Sequence, residues 1–360
     1  MKLTKFFALA LAALAIVGCE PTTGNDDQKP TGDAVLTANN NSIEVNTPIE
    51  FTVTATDGTD LTAQAAIFDK THDFVEVSNP FTPTMDGDYE FYAVVGNIIT
   101  APIKVNVVPT VPALPEDAEP ENTKFNHRIL LVDHTGNTCG YCPEMMVALK
   151  EVAETGDYHS KYYEAMAHTY ATTDPAYSAA AAAVSSHHGV NNYPTLTYNF
   201  FHDTTSERNA AHIMGQIDAL WKAEGADAGI AAAATLASTS VIVNTEVKAA
   251  VDGEYRITAW LLEDGIYAKQ TNAREEWMNT HDNAIRQRID SDNITGVDLG
   301  ALTTGETKSM ALTLKIVGNK WARENLKVMV IVSAKNAKGK FDVANVAICP
   351  MNDVVTYDYK

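Results

Sequence analysis

The chain has 360 residues, 45% of them hydrophobic and 20% charged. That is the make-up of a globular protein, long enough for two or three domains of about 150 residues each. Acidic residues outnumber basic ones 46 to 26, a formal net charge of -20; such a surface repels phosphate backbones, so nucleic acid is not an expected partner.

The N-terminus reads as a targeting segment. Lys2 and Lys5 precede an apolar stretch over residues 6–17, too short to span a bilayer as a permanent helix. It ends in Ala15-Ile16-Val17-Gly18-Cys19. A small residue directly before Cys resembles a bacterial lipobox, which implies removal of residues 1–18 as a lipoprotein signal peptide and lipidation of Cys19. The alternative is an ordinary secretory signal whose Cys is incidental. The lipobox is favoured because residues 19–32, rich in Thr, Asp, Asn, Gly and Pro, read as a flexible tether. Glu20, rather than Asp, follows the Cys, and in lipoprotein sorting that implies the outer membrane, with the periplasmic face and the cell surface both open. The membrane is then contacted through the N-terminal lipid.

Residues 33–108 show short runs of period two, such as Phe51-Thr52-Val53-Thr54, Tyr89-Glu90-Phe91-Tyr92 and Ile103-Lys104-Val105-Asn106, punctuated by Asp57-Gly58 and Asp86-Gly87. That pattern predicts an antiparallel β-sandwich. Gly87-Asp88-Tyr89-Glu90-Phe91 resembles the immunoglobulin-type tyrosine corner, so the module reads as Ig-like, with spacing or adhesion as its task. Residues 109–124 carry Pro109, Pro112, Pro115 and Pro120 among Glu116, Asp117, Glu119 and Glu121, and predict a stiff, solvated linker.

Residues 125–226 alternate strand and helix. Strands are expected over 128–133, 162–170 and 195–201. Helices are expected over 142–154, from Asp174-Pro175 through Val184, and over 206–221. Such alternation implies a sheet with parallel pairs. Residues 227–360 return to strand patterns and predict a C-terminal β-sandwich, with a helix or ordered excursion over 275–289. The fold class is therefore multidomain: an N-terminal Ig-like β-sandwich, a central α/β domain and a C-terminal β-sandwich.

The chemistry concentrates in Leu130-Leu131-Val132-Asp133-His134-Thr135-Gly136-Asn137-Thr138-Cys139-Gly140-Tyr141-Cys142-Pro143. An apolar strand runs through a polar turn into C-x-x-C, which opens a helix. This context reads as a dithiol/disulfide redox centre. Cys139, at the exposed helix start, is expected to be the attacking thiol, since free N–H groups and the helix dipole favour its thiolate. Cys142, one turn further in, would resolve the mixed disulfide. A stable structural disulfide is the competing reading. Cys349 reads as a buried small apolar residue near a strand end, with a resolving role less favoured.

This segment resembles thioredoxin-fold proteins at three places: the C-x-x-C, Asp133 six residues before Cys139, and Tyr193-Pro194-Thr195 ahead of a strand. The resemblance implies that Asp133 moves the proton of the resolving thiol. It also implies that Pro194 is a cis-proline facing the dithiol, presenting backbone to an extended substrate. Cys139-Gly140-Tyr141-Cys142 resembles the motif of periplasmic disulfide isomerases.

Metal is a weaker reading, resting on His134, His168, His187 and His188 beside the thiols, without a second ligand pair of metal spacing. Covalent haem is disfavoured because Pro143 stands where C-x-x-C-H needs His. No cofactor is expected. Asp264, His281, Arg286 and Arg288 read as surface polar contacts rather than a hydrolase site, for lack of a nucleophile elbow.

The order of lipobox, C-x-x-C domain and C-terminal β-domain resembles the twenty-eight-kilodalton outer-membrane protein family of Bacteroidetes lipoproteins. The carriers are Leu131-Val132-Asp133 with Cys139-Gly140-Tyr141-Cys142, Tyr193-Pro194-Thr195, Leu261-Leu262-Glu263-Asp264-Gly265 with Gln270, and residues 281–286. The resemblance implies an outer-membrane lipoprotein. Together these readings give an envelope protein for thiol-disulfide exchange, whose partners are exported proteins with thiols or disulfides. The alternative is a non-catalytic surface or adhesion lipoprotein whose β-domains bind a partner.

Overall fold

The computed structural model describes residues 33–202, 204–317 and 321–360. Cys19, the signal segment and the tether lie outside the described residues. The described chain is mostly β, arranged in several sheets, with three α-helices.

The first module contains β1 (Ala34–Ala38), β2 (Ser42–Glu44), β3 (Phe51–Ala55), β4 (Ala66–Asp69), β5 (Val75–Val77), β6 (Gly87–Val95), β7 (Ile98–Ile99) and β8 (Ile103–Val108). β1 pairs with β3, and the others form a second sheet in the order β2-β8-β6-β4-β5, with β7 on β6. Period two decides the packing: Phe51 and Val53, Tyr89 and Phe91, and Val105 and Val107 point inward and share one core with Leu36 and Ile67. The Tyr89 hydroxyl donates to the Met85 carbonyl at 2.9 Å and pins the corner before β6.

The middle segment contains β9 (Ile129–Thr135), α1 (Cys142–Glu154), β10 (Tyr162–His168), α2 (Ala179–His187), β11 (Thr195–Tyr198) and α3 (Ala210–Leu220). β10 runs parallel to β9, with Met166 opposite Asp133, and β11 runs antiparallel on the other side, with Leu196 opposite Asp133. Pro143 suits the first turn of α1, where no N–H partner is needed, and Met145, Ala148, Leu149 and Val152 form its buried stripe. Ser178 caps α2 by accepting from the Ala181 amide at 3.0 Å, and Asn209 caps α3 by accepting from the His212 amide at 3.1 Å. Both helices start later than the sequence suggests. Asp174 is engaged by His168 and two backbone amides instead of capping α2, and Ser206 bonds Thr195 at 3.0 Å.

The remaining strands are β12 (Ala228–Leu236), β13 (Ser240–Ala249), β14 (Gly253–Glu263), β15 (Ile266–Tyr267), β16 (Thr280–His281), β17 (Ala284–Arg288), β18 (Val297–Leu302), β19 (Thr307–Lys315), β20 (Leu326–Lys335), β21 (Phe341–Pro350) and β22 (Val354–Val355). They do not form a sandwich separate from the middle segment. One eight-stranded sheet runs β11-β9-β10-β17-β14-β20-β21, with β18 on β14, and so crosses the expected boundary at 226/227. The joint is parallel pairing of Met166 with Ala284, where the Met166 amide donates to the Asn283 carbonyl at 2.8 Å. The expected excursion over 275–289 is a short 3-10 turn, Glu276–Asn279, followed by β16 and β17.

The sheet has two different faces. Leu130, Val132, Trp260, Leu262, Met329 and Ile331 turn to the side that α2 covers. On the other side, Ile129 and Leu131 meet α1 and α3, while Ile257, Ala259 and Leu261 meet the four-stranded sheet β19-β13-β12-β22. Residues 109–124 are not the solvated spacer expected. Asn244 donates to the Pro112 carbonyl at 2.9 Å, and the buried ammonium of Lys248 draws Asp117 and the Glu119 carbonyl onto β13, at 3.0 and 3.2 Å.

Candidate functional site

β9 delivers the C-x-x-C. The strand ends at Thr135, Gly136 follows, and the Cys139 amide donates to the Gly136 carbonyl at 3.0 Å to close the turn. Cys139 and Cys142 form a disulfide with Cα atoms 5.5 Å apart. A Cβ on Gly136 would lie 2.6 Å from the Tyr170 Cβ, so the close pass of the β10 exit requires glycine there. Tyr141, between the cysteines, is exposed and lies under the Arg208 guanidinium.

Two expectations for the thiols need correction. The helix begins at Cys142, so Cys139 precedes its first residue by three positions. Cys139 is also not exposed: it is 1% accessible, and Cys142 is fully buried. The cover comes from the segment between β15 and β16. Gln270 Nε2 donates to the Cys139 carbonyl at 2.9 Å, the Thr271 amide to the Asn137 carbonyl at 2.7 Å, and Asn272 Nδ2 to the Gly140 carbonyl at 3.0 Å. Gln270 itself is 2% exposed, and its Oε1 has no partner among the described residues.

Asp133 shares the face of β9 that carries Ile129 and Leu131, hence the face under α1. Its side chain is fully buried, and neither carboxyl oxygen has a hydrogen-bond partner among the described residues. Burial, and secondarily the charge of Glu164, pushes its pKa well above the ordinary carboxylate value. Glu164 lies one strand over on the same face, paired with Leu131. Burial first, then Asp282, raises Glu164 to about 7. It lines a cleft of about 440 Å³ with Lys150, Trp277 and Asp282.

Pro194 follows a cis peptide bond, and the next residue, Thr195, pairs with His134. Pro194 is thereby set beside the end of β9, where the C-x-x-C turn departs. Behind it runs a polar chain: the Tyr193 hydroxyl to Thr169 at 3.0 Å, Thr169 to Ser185 at 2.9 Å, Ser185 to His134 at 2.8 Å, and His134 to Thr197 at 3.0 Å. Burial lowers His134 to about 3, so this imidazole is neutral. A second buried group anchors the C-x-x-C turn itself. Asp174 accepts from the Asn137 amide at 2.7 Å and from His168 at 2.9 Å, and the His168 ring meets that of His281 edge-on at 4.8 Å.

The sequence comparisons divide the chain. Residues 181–352 match the family model described as "Outer membrane protein Omp28". The match takes in β11, Pro194 and the cover segment, and leaves the cysteines and Asp133 outside. A search of curated proteins returns no match. Among solved structures, HBP35 of Porphyromonas gingivalis is similar with a TM-score of 0.51 at 14% identity, covering 63% of this chain and 76% of that one. At that identity the likeness concerns the fold alone. The surface layer protein SbsC, domains 4–9, aligns at 9% identity with a TM-score of 0.18, over 89% of this chain and 51% of that one.

The other candidates disperse. His187 bonds the Phe200 carbonyl at 3.2 Å, and no three His, Cys, Asp or Glu side chains converge as a metal site among the described residues. Cys349 is buried in β21 with its Sγ toward the Asp353 carbonyl, and burial pushes its thiol up to about 11. The group read as surface contacts is partly interior: His281 is buried, and Arg286 forms a buried ion pair with Glu263 at 2.6 Å. Asp264 and Arg288 do stay nearer the surface, bonding Lys327 and the Ser291 carbonyl. Sequence reasoning missed Asp174 and Glu164, and Gln270 entered only through a family resemblance. It lies 131 residues from Cys139, and no local pattern marks such a contact.

Proposed function

We propose that this chain is an outer-membrane lipoprotein whose β9–α1 unit carries out thiol-disulfide exchange on exported proteins. The observation that carries the reading is a disulfide at the start of α1 on the same sheet face as a buried carboxyl without a partner among the described residues, with Pro194 beside the turn. The order parallel β9-α1-β10, then α2 and an antiparallel β11 next to β9, resembles the thioredoxin fold. The first module resembles an Ig-like sandwich in its two sheets and in the Tyr89 corner.

In the oxidised form a substrate thiolate attacks Cys139 Sγ and breaks the Cys139–Cys142 bond. Cys142 leaves as thiolate and takes the proton that the raised pKa keeps on Asp133. A second substrate thiolate then attacks the substrate sulfur of the mixed disulfide and expels Cys139, so the substrate is oxidised and the dithiol reduced. The reverse sequence reduces a substrate disulfide. Cys142→Ala should leave Cys139 locked to envelope proteins as mixed disulfides, visible on non-reducing gels and lost on reduction.

One observation favours a second reading, a structural disulfide in a non-catalytic binding lipoprotein: Cys139 is closed under residues 270–272. An empty Cys142→Ala trap together with a redox potential below about -300 mV would establish that reading instead.

The localisation rests on the Omp28 match and on Gly18-Cys19. Cys19→Ser should abolish fatty-acid labelling and release the protein from membranes. A Cys19→Ser protein that is still acylated would refute the anchor.

A further inference from the structure

The cover over Cys139 has a chemistry of its own. Three carbonyls of the C-x-x-C turn, those of Asn137, Cys139 and Gly140, all accept from consecutive residues of one tight turn, which the Ala273 amide closes onto the Gln270 carbonyl at 3.2 Å. The bonds come from one backbone amide and two side-chain amides. The orientation of Gln270 is fixed, because its Nε2 meets two carbonyls, those of Cys139 and Thr271. Its Oε1 is buried without a partner among the described residues. The segment is held from behind: Ala268 and Gln270 donate to Asn279, and His281 lies at 3.1 Å from the Ala268 carbonyl.

We propose that Gln270, Thr271 and Asn272 form a displaceable strap that selects extended polypeptide over small thiols at Cys139. The inference rests on the exchange reading above. Removing the strap strips three carbonyls of their donors at a site where Cys139 is 1% exposed. Exchanging these bonds for water has a net cost, so opening is easier when the incoming molecule supplies donors of its own. A polypeptide in extended conformation offers backbone N–H groups along one edge and can take over such bonds, as Thr271 now does. A small thiol or dithiol offers no such row of backbone donors. Gln270 and Asn272 are thus specificity-determining residues rather than catalytic ones.

The test follows the reduction of the protein's own disulfide, with dithiothreitol as the small dithiol and an extended peptide carrying two cysteines as the other reductant. Gln270→Met keeps the volume and removes the donor. Asn272→Gly removes the other donor at φ +60°, where glycine is unstrained. The double variant, which loses two donors, should be reduced by dithiothreitol faster than the parent by about tenfold or more, the factor that two net hydrogen bonds represent. Its advantage for the peptide, per thiolate, should shrink in step. Equal dithiothreitol rates in parent and double variant, or a parent that shows no preference for the peptide, would overturn the proposal. Should the double variant fail to fold, Asn272→Gly alone replaces an exposed side chain and must still show a measurable acceleration; none would count as refutation. Failure of the exchange reading looks different: the Cys142→Ala trap stays empty while the gap in dithiothreitol rates persists. Failure of the strap gives equal rates with a loaded trap.

Discussion

Asp133 is where burial and chemistry meet most directly. An ionised carboxylate without a partner is expensive in an apolar interior, so the side chain avoids the cost by holding its proton. The unfolded chain releases that proton above about pH 4, the ordinary aspartate value. Between that pH and the raised folded value the native state binds more protons than the unfolded one. Stability must therefore fall as pH rises through this window, by about 1.4 kcal/mol per pH unit, and level off once the folded carboxyl ionises. Asp133→Asn removes the slope. Relative to the parent, the variant should gain thermal stability at pH 8 compared with pH 4, as differential scanning calorimetry would show. Its disulfide closure rate, normalised to folded fraction, should drop because the resolving thiol has lost its proton partner. A stability difference that does not change with pH would mean an ordinary carboxyl, and the proton-transfer role would go with it.

At the scale of elements, what the sequence reveals is what local pattern can encode. The run from Leu130 into Cys139-Gly140-Tyr141-Cys142-Pro143 places β9, the turn and α1 correctly, since the apolar stretch, the turn residues and an N-terminal proline act within a few residues of one another. Asp133 lies within β9, and the pairing of Thr195 with His134 sets Pro194 beside the strand end from which the C-x-x-C turn departs. The contact of Gln270 is invisible to such reasoning, because it depends on β10 accepting β17 as a parallel neighbour and so bringing residues 270–272 to the C-x-x-C turn. The same pairing explains why the expected division at 226/227 is crossed by a sheet. Burial of β10 on both faces gives no periodic sign of which strand lies next to it. The late start of α2 has a similar origin: Asp174 reads as a helix cap from its neighbours, yet its carboxyl is taken by His168 and Asn137.

Across the whole molecule, the question is whether the first module is fixed to the rest or merely tethered. Asp86, at the corner before β6, accepts from the Ser238 amide at 2.5 Å and from Thr239 at 3.1 Å, which ties that module to the β12–β13 turn. The second tie is the linker itself. Lys248 is 1% exposed, and its ammonium is surrounded by Asp117 at 3.0 Å, the Glu119 carbonyl at 3.2 Å, the Pro120 carbonyl and the Tyr359 hydroxyl at 3.1 Å. A buried ammonium demands such acceptors, and here the chain between the modules supplies most of them. Lys248→Met keeps much of the apolar stem and deletes the charge. Asp117 would retain Tyr359 at 2.7 Å and the Glu119 amide at 2.9 Å, so the carboxylate is not stranded. The loss should then be that of charge-assisted hydrogen bonds, about 1.5–3 kcal/mol, in favour of linker release. Limited proteolysis separates this from general loosening. Parent protein should resist cleavage within residues 109–124, and Lys248→Met should be cut there roughly tenfold faster or more, since 1.4 kcal/mol is a factor of ten in the open population. The products should be two resistant fragments, one for each side of the linker. Rapid cleavage of parent and variant alike would show a linker that is free in solution, and cuts scattered along the chain would show a fold weakened throughout.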